Sequence, residues 1–151
     1  MLIVDDHSAI REGLKSALRD SGEFKVIGEA ADAAQALGLV EKIRPAIVVL
    51  DVSIPGLSGI KLAEQIRGIS HVTRVVVYTM HAELGFQAAM MRAGAAAYVL
   101  KGEPLSTLLD ALRMTRDGRT SFFGLSTPTV ANEAELEGSL RKLSQRDSTW
   151  D

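Results

Sequence analysis

Three carboxylates stand immediately after short apolar runs: Asp5 and Asp6 after Leu2-Ile3-Val4, and Asp51 after Ala46-Ile47-Val48-Val49-Leu50. Thr79 closes the run Arg74–Thr79, and Lys101 follows Ala97–Leu100. Carboxylates crowded at one edge repel, and some would protonate unless cations compensate. Lys101 supplies one positive charge. A hard, oxygen-seeking divalent ion could supply the rest, because Mg²⁺ favours a few carboxylates, a carbonyl and several waters. Such a set suits a metal-assisted event at one acid, in which an Asp oxygen attacks phosphorus and an aspartyl phosphate forms. The transition state needs positive charge and donors around its equatorial oxygens. Mg²⁺, Lys101, Thr79 and backbone N–H groups could provide them.

That chemistry requires a scaffold bringing five distant positions to one place. The strand candidates are Leu2–Val4, Phe24–Gly28, Ala46–Leu50, Arg74–Thr79 and Ala97–Leu100. Continuous apolar runs such as Ile47-Val48-Val49-Leu50 suit central strands buried on both faces. Between the runs lie amphipathic helices. Ile10, Leu14, Ala17 and Leu18 form one apolar stripe. Asp32 can cap a second helix reaching Ile43 before Pro45. Ser58 can cap a third, to about Arg67, with Gly68 ending it. A fourth is expected over Glu83–Ala93, and a fifth after Pro104 with Leu105, Leu108, Leu109 and Leu112 facing inward. This alternation implies an α/β fold, a (βα)5 doubly wound parallel sheet with helices on both faces. Such sheets place their sites at the carboxyl ends of the strands, where Asp5, Asp6, Asp51, Thr79 and Lys101 all fall. Any one of them could be an ordinary polar residue after a strand. Their joint convergence carries the reading.

The chain has 151 residues, 46% hydrophobic and 24% charged, with a formal net charge of −2. That composition fits a soluble globular protein and argues against disorder throughout. The sequence contains no cysteine, which excludes disulfides and thiolate metal sites. Acidic and basic residues are evenly spread on both sides of residue 118, so the basic footprint of a nucleic-acid binder is missing. The opening Met1–Asp6 lacks a basic leader and reaches carboxylates at once, which leaves the cytoplasm as the expected location. No G-x-G-x-x-G or Walker A run is present to support nucleotide chemistry.

The pattern Val4-Asp5-Asp6-His7, Leu50-Asp51-Val52-Ser53-Ile54-Pro55-Gly56-Leu57-Ser58-Gly59, Thr79-Met80-His81 and Tyr98-Val99-Leu100-Lys101 closely resembles bacterial response-regulator receiver domains. The Asp-Asp-His opening and the Asp51-Val-Ser-Ile-Pro-Gly stretch are most similar to the NarL/FixJ (LuxR-type) subgroup. The resemblance covers residues 1–118 and implies a flavodoxin-like receiver with strand order 2-1-3-4-5. It further implies that Asp51 is the phospho-acceptor, taking a phosphoryl group from a sensor histidine kinase. Asp6 would bind Mg²⁺ directly, Asp5 would help through water, and Asp51 and the Ser53 carbonyl would complete the protein ligands. Lys101 would pair with phosphoryl oxygens, Thr79 would be the switch hydroxyl, and Tyr98 the aromatic that follows it inward. Ser53 and His81 would flank the phosphoryl site and tune its lifetime. His7, His71 and His81 read as loop residues, since their spacing fits no zinc site. Gly102 stands where many receivers have a proline after a cis bond, and Met80, beside the switch threonine, is bulkier than the small residue many receivers have at that position.

Residues 119–142 read as a linker, partly helical over Glu133–Leu143, where Leu136, Leu140 and Leu143 share a face. Residues 143–151 resemble, over Leu143-Ser144-Gln145-Arg146-Asp147, the start of a LuxR-type helix-turn-helix domain. No recognition helix follows, so DNA would be reached only through an effector domain missing from this chain. The expected function is a phosphorylation switch controlling transcription through that effector, with a possible homodimer and no membrane partner. A stand-alone receiver acting as phosphate sink or protein-interaction module is the alternative. An enzyme is not expected beyond self-catalysed phosphorylation and dephosphorylation, because the position two after Asp51 holds Ser53 rather than a second acid.

Overall fold

The computed structural model describes residues 1–123. The order of elements is β1 (Leu2–Val4), α1 (Ser8–Ser21), β2 (Gly28–Ala30), α2 (Ala33–Ile43), β3 (Ile47–Leu50), α3 (Gly59–Ile69), β4 (Arg74–Thr79), α4 (Leu84–Arg92), β5 (Ala97–Leu100), α5 (Leu105–Arg116) and β6 (Ser121–Phe123). All strand pairs are parallel, and the sheet order is β2-β1-β3-β4-β5-β6. The expected 2-1-3-4-5 arrangement is therefore present, with one more strand at its far edge.

Successive strand side chains point to opposite faces, and each face has its own core. Leu2, Val4, Val48, Leu50, Val75, Val77 and Tyr98 pack with Ala36, Val40, Leu62, Ile66, Phe86 and Met90 of α2, α3 and α4. Ile3, Val49, Val76, Tyr78 and Val99 pack with Leu14, Leu18, Leu108 and Leu112 of α1 and α5. Two-sided burial explains why β3 and most of β4 read as unbroken apolar runs. Each helix starts where the chain leaves the carboxyl edge. The Asp32 side chain accepts from Gln35 N–H at 2.8 Å, and the Ser58 hydroxyl accepts from Lys61 N–H at 3.2 Å, as their positions suggested.

Three elements depart from the pattern. β2 lies at Gly28–Ala30 rather than Phe24–Gly28. Phe24 and Val26 pack instead against the α1–α5 core, and only Gly28, Glu29 and Ala30 run in register with Leu2, Ile3 and Val4. α3 continues through Gly68 to Ile69 and stops at Ser70, whose buried hydroxyl accepts a 2.7 Å hydrogen bond from Thr73. The third departure is β6, which lies in the stretch expected as linker. Gly118 turns the chain with φ 80, Arg119 N–H donates to Met114 C=O, and Ser121 N–H donates to Ala96 C=O at 3.0 Å. Residues 121–123 thereby satisfy backbone groups that β5 would otherwise leave at an edge. The expected helix at 133–143 and the 143–151 stub lie outside the described residues. No helix among the described residues is long and apolar enough to cross a membrane.

Candidate acidic site at the carboxyl edge of the sheet

Parallel strands and register place the ends of β1, β3 and β4 side by side, because Val4 pairs with Leu50 and Leu50 with Val77, and β5 lies beyond β4 with Leu100 paired to Thr79. Asp51 N–H donates to Val4 C=O at 2.9 Å, and Asp5 N–H to Ala30 C=O at 3.0 Å. These bonds seat both acids at the edge itself. Asp5 and Asp51 are buried, whereas Asp6 is exposed.

Lys101 joins the buried pair. Its ammonium lies 2.7 Å from Asp5 Oδ2 and 2.9 Å from Asp51 Oδ2, with its side chain only 8% exposed. Burial works against the lysine's charge. The hydrogen bonds and negative charges of Asp5 and Asp51 outweigh it and hold the pKa above the ordinary lysine value. The remaining oxygen of each acid faces donors nearby. Ser53 N–H donates to Asp51 Oδ1 at 3.1 Å, and His7 N–H to Asp5 Oδ1 at 2.9 Å.

His7 lies in the loop between β1 and α1, as expected, and its ring also meets the acids. Its Nδ1 lies 3.1 Å from Asp5 Oδ1 and 3.0 Å from Asp6 Oδ1. The only signal for this was its position directly after the paired acids. Ligand atoms of Asp5, Asp6, His7 and Asp51 all fall within 4.8 Å of one another. Three carboxylates at that spacing, one of them open to solvent, make a donor set suited to a hard divalent cation such as Mg²⁺. The described contacts of Ser53 use its N–H and its hydroxyl. A cleft of about 400 Å³ opens here, lined by His7, Ile10, Asp51, Ser53, Tyr78, Met80 and Lys101. Met80 stands at its rim, 72% exposed.

Thr79 and Tyr98 meet at His81. Both are fully buried. The Thr79 hydroxyl accepts from His81 N–H at 3.3 Å, and the Tyr98 hydroxyl donates to His81 C=O at 2.8 Å. The aromatic expected to follow the threonine inward is thus already inside in this conformation. Burial, with the nearby charges of Glu83 and Asp51, pushes the Tyr98 pKa well up, so the phenol keeps its proton. No cis peptide bond occurs among the described residues, including the Lys101–Gly102 bond.

A parallel sheet of this order, with acids directly after β1 and β3 and a lysine after β5, defines a receiver fold. Residues 1–113 match the response regulator receiver domain family, and the chain belongs to it. It is 30% identical over 151 residues to the response regulator GacA of Pseudomonas aeruginosa, covering all of this chain and 68% of that protein. Among solved structures, a LuxR-family two-component response regulator from Aurantimonas is 28% identical with a TM-score of 0.76, covering 95% of this chain and 96% of that one. The signal receiver domain of the putative response regulator NarL from Mycobacterium tuberculosis is 34% identical, with a TM-score of 0.74 over 78% of this chain and 95% of that one. The chain is a two-component receiver of the NarL/LuxR type.

Proposed function

We propose that this receiver is a phosphorylation switch in which Asp51 accepts a phosphoryl group from the phosphohistidine of a sensor histidine kinase. The observation that carries the reading is the Lys101 ammonium held between Asp5 and Asp51 at 2.7 Å and 2.9 Å. An Asp51 oxygen would attack phosphorus as the bond from phosphorus to the kinase imidazole breaks. Lys101 would turn toward the phosphoryl oxygens as the Asp51 carboxylate becomes an acyl phosphate. Asp5, Asp6, Asp51 and the Ser53 carbonyl would hold Mg²⁺. When bound, the ion supplies the positive charge that the phosphoryl oxygens require.

Thr79 and Tyr98 would read the new group out, since both grip the loop after β4 through His81. The surface that changes is α4, β5 and α5, a local charge event biasing a two-state segment. That surface would support a homodimer and control a DNA-binding effector outside the described residues. The cytoplasm is the setting such a relay needs. Self-catalysed uptake and loss of the phosphoryl group would be the only chemistry.

Incubation with Mg²⁺ and acetyl phosphate tests the reading. An acid-stable, hydroxylamine-labile adduct is expected on the native chain and absent from Asp51→Asn. A native chain that takes up no phosphoryl group under those conditions would overturn the switch.

A further inference from the structure

His7 stands at the N-cap of α1, a position that favours Ser, Thr, Asp or Asn. Its side chain makes no capping hydrogen bond to the helix. The ring turns to the acids instead, with Nδ1 3.1 Å from Asp5 Oδ1 and 3.0 Å from Asp6 Oδ1. Backbone contacts fix the loop that carries it. Arg11 N–H donates to His7 C=O at 3.1 Å, and the Arg11 guanidinium donates to Asp5 C=O at 2.6 Å. The two oxygens of Asp5 are thereby divided. Lys101 takes Oδ2 at 2.7 Å, and Oδ1 faces the imidazole.

Neighbouring ligands on a six-coordinate ion with bonds of about 2.1 Å lie about 3.0 Å apart. The ring nitrogen therefore stands one ligand spacing from an oxygen of each paired acid. We propose that His7 is a nitrogen ligand to the cation at this site and shifts its preference from Mg²⁺ toward later first-row divalent ions such as Co²⁺. The inference rests on the reading that Asp5, Asp6 and Asp51 hold a divalent cation, and it adds a donor of different chemistry. Carboxylates, carbonyls and waters suit Mg²⁺, whereas imidazole suits the softer ions later in the row. The spacing of the three histidines along the chain builds no metal site, but the fold brings carboxylates to this one ring. With its side chain 63% exposed, the ring meets an incoming ion without any opening of the core.

Calorimetric titration of the full chain with Mg²⁺ and with Co²⁺ tests the assignment on native protein, His7→Ala and His7→Gln. Co²⁺ affinity is expected to fall about tenfold or more in His7→Ala, at least what loss of an outer-shell partner brings. Mg²⁺ affinity is expected to hold within about twofold, because Mg²⁺ readily keeps a water where the ring would bind. A parallel loss for both ions would overturn the proposal, since His7 would then only order the acids. Native Co²⁺ affinity in His7→Ala would overturn it as well. Proton NMR of the Co²⁺-loaded chain gives a second readout, because a directly bound imidazole shows hyperfine-shifted ring resonances. Such resonances are expected in the native chain and absent from His7→Gln, and their persistence in the variant would contradict the assignment. Failure of both ions to bind the native chain would instead remove the cation site itself, and this inference with it.

Discussion

Replacing Lys101 by methionine removes an ammonium that two buried acids share at 2.7 Å and 2.9 Å. The three side chains are 8%, 3% and 5% exposed, so solvent screens the pairs little. Breaking a buried pair by deleting one partner costs about 3–5 kcal/mol, because the surviving charge is left uncompensated. Here two carboxylates survive, with Asp6 adding a third negative charge nearby. The lower end of the range, about 3 kcal/mol, is expected because Asp6 opens the site to water. A domain of this size holds about 5–15 kcal/mol in total, so the loss is a large fraction of its stability. Urea unfolding followed by circular dichroism in EDTA measures the difference directly. The pH dependence supplies a second signature. The folded pKa of Lys101 is raised, so its contribution is fully present below the ordinary lysine value of about 10.4 and fades as pH rises through the higher folded value. The gap between native and variant should therefore narrow as pH rises through the folded value of Lys101. A loss below about 1 kcal/mol at neutral pH would show that Lys101 is a solvated surface cation and refute the reasoning.

Asp6→Ala should leave folding almost unchanged, since Asp6 is exposed and touches His7 alone among its described ion pairs. Its Mg²⁺ affinity, measured by calorimetry, should fall by about tenfold or more, at least what loss of an outer-shell partner brings. Tyr98→Phe removes one hydrogen bond to His81 C=O, and a stability loss of about 1 kcal/mol is expected by urea titration. Gly59→Ala tests the close approach of α3 to the loop after β3. A Cβ there would lie 2.5 Å from Val52 Cβ, so overpacking of about 1–3 kcal/mol is expected in thermal unfolding.

Much of this arrangement was legible because burial on both faces leaves a strong mark. β3 and β4 could hardly be anything but central strands, and Asp32 and Ser58 announced their helices. β2 was harder to place. Apolar Phe24 and Val26 imitate a strand while packing on α1 and α5, and the true pairing uses Gly28, Glu29 and Ala30. β6 carried almost no local signal, since Ser121 sits in a stretch rich in Gly, Ser, Thr and Pro. Its pairing depends on where α5 returns the chain. At the site, the residue types Asp, Asp, Asp and Lys at strand ends announced the charge cluster across 96 residues of separation. The place of His7 among the acids and the stacking of His81 on Phe86 are contacts between close neighbours in loops and at a helix start, set by rotamers that no periodicity encodes.

The central claim is that Asp51 carries the phosphoryl group. Borohydride reduces an aspartyl phosphate to homoserine, so peptide mapping after treatment with acetyl phosphate, Mg²⁺ and borohydride reports the acceptor directly. Homoserine at position 51, lost in EDTA, is the expected result. Homoserine at Asp5 or Asp6, or an unmodified Asp51 in protein that has taken up phosphate, would contradict it.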